Sequence, residues 1–330
     1  MTRREIHFNN VLRSRGVSVL LAAAGVWLAS HALSAGKVPR PVSGLSVTLP
    51  SPAEWFSPGS DLSFWVNVVA VGLTAFSMLL INRRYNLLRT ISIFFAGFFV
   101  FTTMCTPVVG AQFTGATLLA LVVMSCVHLM FSVYARRAAN RRVFLVFTLL
   151  TAGALCNYAF LFYLPVFFAG LGQMRIFSFK RVLAAVIGIV TPVWIVYGIL
   201  PLPVPRMPEI YFTPPTELLS VPGGIPFVVT VAFTIGVWII LSILNLLKVL
   251  SFNTRGRAYF GLLTLTFLCT AVCAAVNFTN LGFYTVLLNT LTAFQTGLFF
   301  RSMEKRRAYI VILILIASYG ALYYWQLTTI

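Results

Sequence analysis

Charge is what this chain has least of. Only 9% of its 330 residues are Asp, Glu, Lys or Arg, and just six of those are acidic. A water-soluble domain carries about 25% charged residues. A chain this poor in charge and 59% hydrophobic lacks the polar surface to cover a globule in water. That excludes a soluble fold and makes lipid the expected solvent. Histidine is as sparse. His7, His31 and His128 are scattered and cannot assemble a four-histidine iron site or a paired-histidine zinc site. The five cysteines, Cys105, Cys126, Cys156, Cys269 and Cys273, all fall inside apolar runs, which argues against a disulfide framework. Cys269 and Cys273 share a helix face, but with no histidine or further cysteine near them they read as packing residues rather than metal ligands. No metal or other cofactor is expected. Glycine-rich phosphate loops and nucleophile–base pairs are also missing. The interiors of the apolar runs hold no Lys, Arg, Asp or Glu, which weighs against a proton or ion pump. A carrier of amphipathic lipid survives that argument, since its head group can be handled at an interface.

What is present is basic. The formal charge is +18, carried by 24 Lys and Arg. Spread over one surface, such a charge would suggest a nucleic-acid partner. Here it sits in short clusters between apolar runs of membrane-spanning length, the pattern of a cytoplasmic membrane face, so nucleic acid is not expected.

A helix needs about 20 apolar residues to cross the hydrocarbon core. Nine runs meet that need: Val17–Ala35, Leu62–Ile81, Ile91–Thr106, Phe113–Tyr134, Val182–Leu200, Phe227–Leu247, Tyr259–Val276, Leu281–Phe300 and Ala308–Trp325. The stretch from Val143 to Gly172 is different. It is interrupted by Gly153, Asn157, Pro165 and Gly170, and as one helix it would be roughly 45 Å long. Arg136, Arg137, Arg141 and Arg142 precede it, and Arg175, Lys180 and Arg181 follow it, so both ends belong on the basic side. The segment must therefore turn back near Asn157 and Tyr158. A turn at membrane depth is tolerable only where protein or a wet cavity surrounds the freed backbone groups. With that hairpin, Lys37, Arg40 and Arg206 are the only basic residues left outside. The expected fold is an all-α polytopic transmembrane bundle, one integral membrane domain over residues 1–330. It has nine full spans and one short-helix, re-entrant-like hairpin, with the N-terminus cytoplasmic and the C-terminus exterior. The first span reads as a retained signal anchor, although Ala32-Leu33-Ser34 would also suit a signal-peptide cleavage site.

Residues 62–150 and 227–315 repeat an order of span, basic loop, span, tight turn, span and arginine-rich loop, a pattern compatible with a weak internal repeat. Two proline-rich exterior segments, 36–60 and 201–224, hold four of the six acidic residues: Glu54, Asp61, Glu209 and Glu217 lie in or beside them. Glu54 and Asp61, flanked by Trp55 and Trp65, are the candidate catalytic residues, as general bases toward a sugar hydroxyl at the membrane surface. The alternative is solvated loop charge beside an aromatic belt. Asn157 and Tyr158 are candidates for binding a head group or for satisfying the carbonyls freed at the turn. Arg206, Glu209 and Glu217 are candidate substrate contacts in a loop long enough to cover an exterior cavity, or else members of an ordinary surface connection. Asn277, Asn280, Asn289 and Gln295 suit hydrogen bonds between helices.

The run Leu149-Leu150-Thr151-Ala152-Gly153-Ala154-Leu155-Cys156-Asn157-Tyr158-Ala159-Phe160-Leu161-Phe162-Tyr163-Leu164-Pro165, with the basic interfacial run after it, resembles an uncharacterised family of bacterial multi-pass inner-membrane proteins. The hairpin and the acid-bearing first exterior loop are more loosely similar to O-antigen and exopolysaccharide polymerases and to GT-C glycosyltransferases, which act on polyprenyl-linked sugars. The position that is usually histidine or acidic in that hairpin is Asn157 here. The resemblance implies a bacterial cytoplasmic-membrane protein of the cell envelope. Its partners would be membrane lipid and a polyprenyl-linked saccharide, and its role the handling of a lipid-linked glycan precursor. A lipid or small-molecule carrier or flippase, and a non-catalytic scaffold of an envelope complex, are the other readings, so whether the chain is an enzyme stays open.

Overall fold

The computed structural model describes residues 15–38, 48–88, 93–136, 139–199, 216–302 and 306–330. The described residues form helices and no strand. In chain order the helices are α1 (Arg15–Ser34), α2 (Asp61–Tyr85), α3 (Phe94–Met104), α4 (Pro107–Gly110), α5 (Gly115–Ser132), α6 (Asn140–Cys156), α7 (Tyr163–Gln173), α8 (Phe179–Trp194), α9 (Thr216–Ser220), α10 (Gly224–Leu250), α11 (Thr254–Val276), α12 (Leu281–Ser302) and α13 (Arg306–Thr329). Seven of these are long and apolar enough to cross a membrane: α1, α2, α5, α8 with the π-turn Ile195–Ile199, α10, α11 and α13. Their outward faces carry bare apolar side chains, such as Leu20, Trp27, Val69, Phe76, Ile240 and Ile243, which a water-soluble bundle would cover.

Two expected spans take other forms. The run Ile91–Thr106 becomes the short helix α3, broken at Cys105 and Thr106 by Pro107, after which the chain continues in α4. The broken segment is held in place by neighbours. Asn67 of α2 donates its amide to the carbonyls of Val109 and Gly110, 2.9 Å each, and takes a hydrogen bond from Thr117. Helix α12 has the length of a span, but Asn289, Gln295 and its threonines dilute its hydropathy. It is surrounded by other helices, with nearly every side chain from Tyr284 to Phe299 buried, so its polar groups face protein rather than lipid.

Helices α1 and α3 run parallel in close contact. A Cβ on Gly97 would lie 2.5 Å from the Ser18 carbonyl oxygen, and one on Gly25 would lie 2.9 Å from the Phe101 Cα. Small residues let the two backbones approach, as is usual where lipid removes the hydrophobic drive between helices. Helix α6 packs along α8 in the same way, with Gly188 against the Phe144 carbonyl.

The stretch between Val143 and Gly172 does turn back. Helix α6 stops at Cys156, Asn157 is extended, and the tight turn Tyr158–Phe162 leads into α7. The two feet of this hairpin meet: Ala135 N–H donates to the Met174 carbonyl at 3.0 Å, and Arg181 reaches the Arg136 carbonyl at 3.2 Å. Arg142 donates to the backbone and hydroxyl oxygens of Ser132, tying the same end to α5. Several basic loops thus gather at one end of the bundle. At the other end lie the hairpin tip, the 48–56 segment, the α11–α12 turn and the last turn of α13, where Lys37 donates to the Leu327 carbonyl.

Candidate functional site: a cationic aromatic pocket at the basic end

Where α2 ends and α11 begins, a cavity of about 640 Å³ opens. Its lining includes Arg84, Tyr85 and Asn86 from the end of α2, Ser251, Phe252 and Asn253 from the α10–α11 turn, and Arg255, Tyr259 and Phe260 from the first turns of α11. The sequence builds this wall locally. Asn253 is the N-cap of α11, its side chain accepting from Gly256 N–H at 2.8 Å. At the C-terminus of α2, Asn86 adopts a left-handed conformation, φ 51°, and ends the helix. The capped N-terminus of α11 and the C-terminus of α2 both border the cavity, so their opposed dipole ends offset one another there and the net charge comes from the arginines.

The tyrosines orient the cations. Arg255 donates its Nε to the Tyr259 hydroxyl at 2.6 Å, and its guanidinium lies over the rings of Tyr134 and Tyr259. Tyr259 in turn donates to the Phe131 carbonyl at 3.0 Å. Its ring stacks on Phe131 and meets Tyr85 and Tyr134 edge-on. Tyr85 anchors to the His128 carbonyl at 3.2 Å, and Arg84 lies over its ring. With Nε engaged, the terminal nitrogens of Arg255 keep their hydrogen-bonding capacity. Arg84 and Arg255 are exposed, and no acidic side chain is among the described residues of the lining. Two guanidinium groups with side-chain amides in a largely polar lining suit a phosphate or carboxylate head group.

At the opposite end, the hairpin tip forms a second polar cluster without charge. Asn157 is buried and caps the turn, its Oδ1 accepting from Ala159 N–H at 2.9 Å. The Leu155 carbonyl, freed where α6 ends, accepts from Thr48 and Leu49 N–H at 3.1 and 3.0 Å. The Thr48 hydroxyl bonds that of Tyr197, so the 48–56 segment covers the turn. Asn277 donates to the hydroxyls of Tyr158 and Tyr284 and accepts from Asn280. At this tip, the groups that pair with the freed backbone belong to the protein.

No protein-family model, curated protein or solved structure matches this chain.

The expected site residues are scattered. Glu54 closes the short turn Pro52–Glu54 and is exposed, while Asp61 is exposed in the first turn of α2 behind its N-cap Ser60. Neither is among the residues lining the cavity. Asn157 and Tyr158 do come together, in the uncharged cluster. Arg206 and Glu209 lie outside the described residues. Glu217 falls in the short helix α9, and its side chain is likewise outside what is described. The sequence reading missed the pocket because it weighed Arg84 and Arg255 as topological charges. The available signal was an arginine beside a tyrosine at two span ends, Arg84-Tyr85 and Arg255 four residues before Tyr259, the latter spacing placing both on one helix face.

Proposed function

We propose that this chain is a multi-pass protein of the bacterial cytoplasmic membrane that holds the anionic head group of an amphipathic lipid at its cytoplasmic face. The observation that carries the reading is the pocket itself, with Arg84 and Arg255 oriented over tyrosines and no carboxylate among the described residues of its lining. A polyprenyl-linked saccharide, whose head group begins in phosphate, is the member of that class to which the family resemblance points.

The proposed topology has nine full spans, formed by α1, α2, the broken α3–α4, α5, α8, α10, α11, α12 and α13, with α6 and α7 as the short hairpin. The N-terminus is cytoplasmic and the C-terminus exterior. Support comes from the meeting of the hairpin feet and from the clustering of Arg84, Arg136, Arg142, Arg181 and Arg255 at one end. Single cysteines placed at Arg136 and Lys180 in a cysteine-free background should both resist an impermeant thiol reagent in intact cells. Labelling of either from outside would overturn the orientation.

The binding reading is tested on the full chain by native mass spectrometry, with phosphatidic acid and phosphatidylcholine as probes. Phosphatidic acid should be retained in preference. An exposed charge-assisted hydrogen bond is worth roughly 1.5 kcal/mol, so the double variant Arg84→Gln/Arg255→Gln should weaken retention by about 100-fold. Equal retention of the two lipids, or indifference to the double variant, would remove the proposal.

A further inference from the structure

The two arginines of the basic pocket belong to different helices, and ring packing fixes them beside one another. Arg84 is in the last turn of α2 and Arg255 in the first turn of α11. The Arg84 guanidinium lies 5.9 Å from the Tyr85 ring and that of Arg255 lies 5.5 Å from the Tyr259 ring, while the two rings meet at 5.3 Å. Two further cations stand close by, Arg142 within electrostatic reach of Tyr85 and Arg136 within reach of Tyr259. Arg142 is already engaged by Ser132, so it adds to the field rather than to the contacts. Like charges held this way repel one another, and no carboxylate among the described residues of the lining offsets them.

The number of cations bears on the charge of the head group. A phosphodiester shares one negative charge between two free oxygens, whereas a phosphomonoester carries about −1.5 to −2 at neutral pH on three. One guanidinium bound through two parallel hydrogen bonds occupies two of those oxygens. A diester is therefore used up by one arginine and leaves the second unmatched. A monoester has both a charge and an oxygen left for it. Asn253 adds a donor, because its Oδ1 is spent on Gly256 N–H and its amide nitrogen is not. Size does not make the choice, since a cavity of about 640 Å³ admits either head group.

We propose that the pocket selects a lipid whose head group is a phosphomonoester, with two negative charges on one phosphate, over lipids joined through a singly charged phosphodiester. This rests on the head-group reading above and narrows it. For a polyprenyl lipid it means a phosphate free of sugar. The selection comes from Arg84 and Arg255 acting together, each supplying one of the two charges that the monoester requires.

Native mass spectrometry of the full chain tests it, with phosphatidic acid, phosphatidylglycerol and phosphatidylcholine of matched acyl chains as probes. At about pH 8 phosphatidic acid should be retained about tenfold over phosphatidylglycerol, one charge-assisted hydrogen bond's worth, and both over phosphatidylcholine. A phosphomonoester takes up its second proton near pH 6, so at about pH 5 the retention of phosphatidic acid should fall to that of phosphatidylglycerol, which should not itself fall. The charged and titratable groups around Tyr85 and Tyr259 are Arg84, Arg255, Arg136, Arg142, Tyr134 and His128. Arginine stays charged across this range, and any proton gained by His128 would strengthen the hold on an anion, so a fall comes from the lipid. Arg84→Gln or Arg255→Gln alone should erase the preference for phosphatidic acid over phosphatidylglycerol. Equal retention of these two lipids by the parent chain, both above phosphatidylcholine, would overturn the selection and leave the head-group reading standing. Equal retention of all three would remove both. A preference that survives at about pH 5, or in both single variants, would also overturn the selection.

Discussion

At the basic end, Tyr85, Tyr134 and Tyr259 meet guanidinium groups, and at the opposite end Tyr158 and Tyr284 meet only amides. The phenol does different work in the two settings. Beside Arg255 it supplies both an acceptor and a ring face, holding an exposed charge in place. Beside Asn277 it closes a hydrogen-bond network that satisfies itself, around a turn already capped by Asn157 and covered by residues 48 and 49. An oriented cation with no carboxylate among its described neighbours suits the binding role proposed for it. A neutral network within a covered turn is structural, whatever its resemblance to a catalytic hairpin.

That contrast is broken most sharply by removing one hydroxyl at each end. Tyr259→Phe frees Arg255 to swing away and should weaken phosphatidic acid retention about tenfold, one charge-assisted hydrogen bond's worth. Tyr158→Phe should leave retention unchanged. Equal effects from the two would mean that the lipid responds to global loosening rather than to the pocket.

The uncharged end is probed through its packing. A Cβ on Gly153 would lie 2.6 Å from the ring of buried Phe160, so Gly153→Val should cost roughly 1–3 kcal/mol by overpacking the hairpin tip. Asn277→Leu leaves the Tyr158 and Tyr284 hydroxyls without their amide and should cost about 1 kcal/mol, the scale of interhelical hydrogen bonds in membranes. Denaturant unfolding in detergent reads both. A variant that instead abolishes lipid retention while leaving stability unchanged would move the functional site to this end.

Much of this architecture was legible in the sequence, and the reasons are physical. Long apolar runs and clustered arginines are imposed by the bilayer residue by residue, so the helices and the turn at Asn157 could be read from hydropathy and charge. Helix α12 was expected as a span, but its polar residues are explained only by packing, which shields Asn289 and Gln295 inside a ring of helices. The break in α3 was hidden for a similar reason. Pro107 announces a helix boundary, yet only the Asn67 amide, forty residues earlier, explains how the freed carbonyls of Val109 and Gly110 survive there. The pocket depends on Arg84 and Arg255 meeting across 171 residues of sequence, and no local pattern encodes that meeting.

The smallest expected effects belong to Glu54 and Asp61, and they separate a helix-capping role from a chemical one. Asp61 sits in the first turn of α2, where a negative charge opposes the helix dipole, and Glu54 closes an isolated three-residue turn. Asp61→Asn should therefore destabilise the protein slightly, by about 0.5 kcal/mol or less, and Glu54→Gln should not measurably do so. Neither change should alter phosphatidic acid retention, since neither side chain lines the basic pocket. A general base behaves otherwise: its amide variant keeps shape and stability while activity falls roughly 100-fold. Complementation of a deletion strain's envelope phenotype at matched protein level distinguishes the two. Full complementation by each variant and by the double variant would leave the carboxylates with a structural role at most. Loss of complementation in a stable Glu54→Gln protein would shift the chemistry to the exterior face and make the basic pocket a holding site for the same lipid.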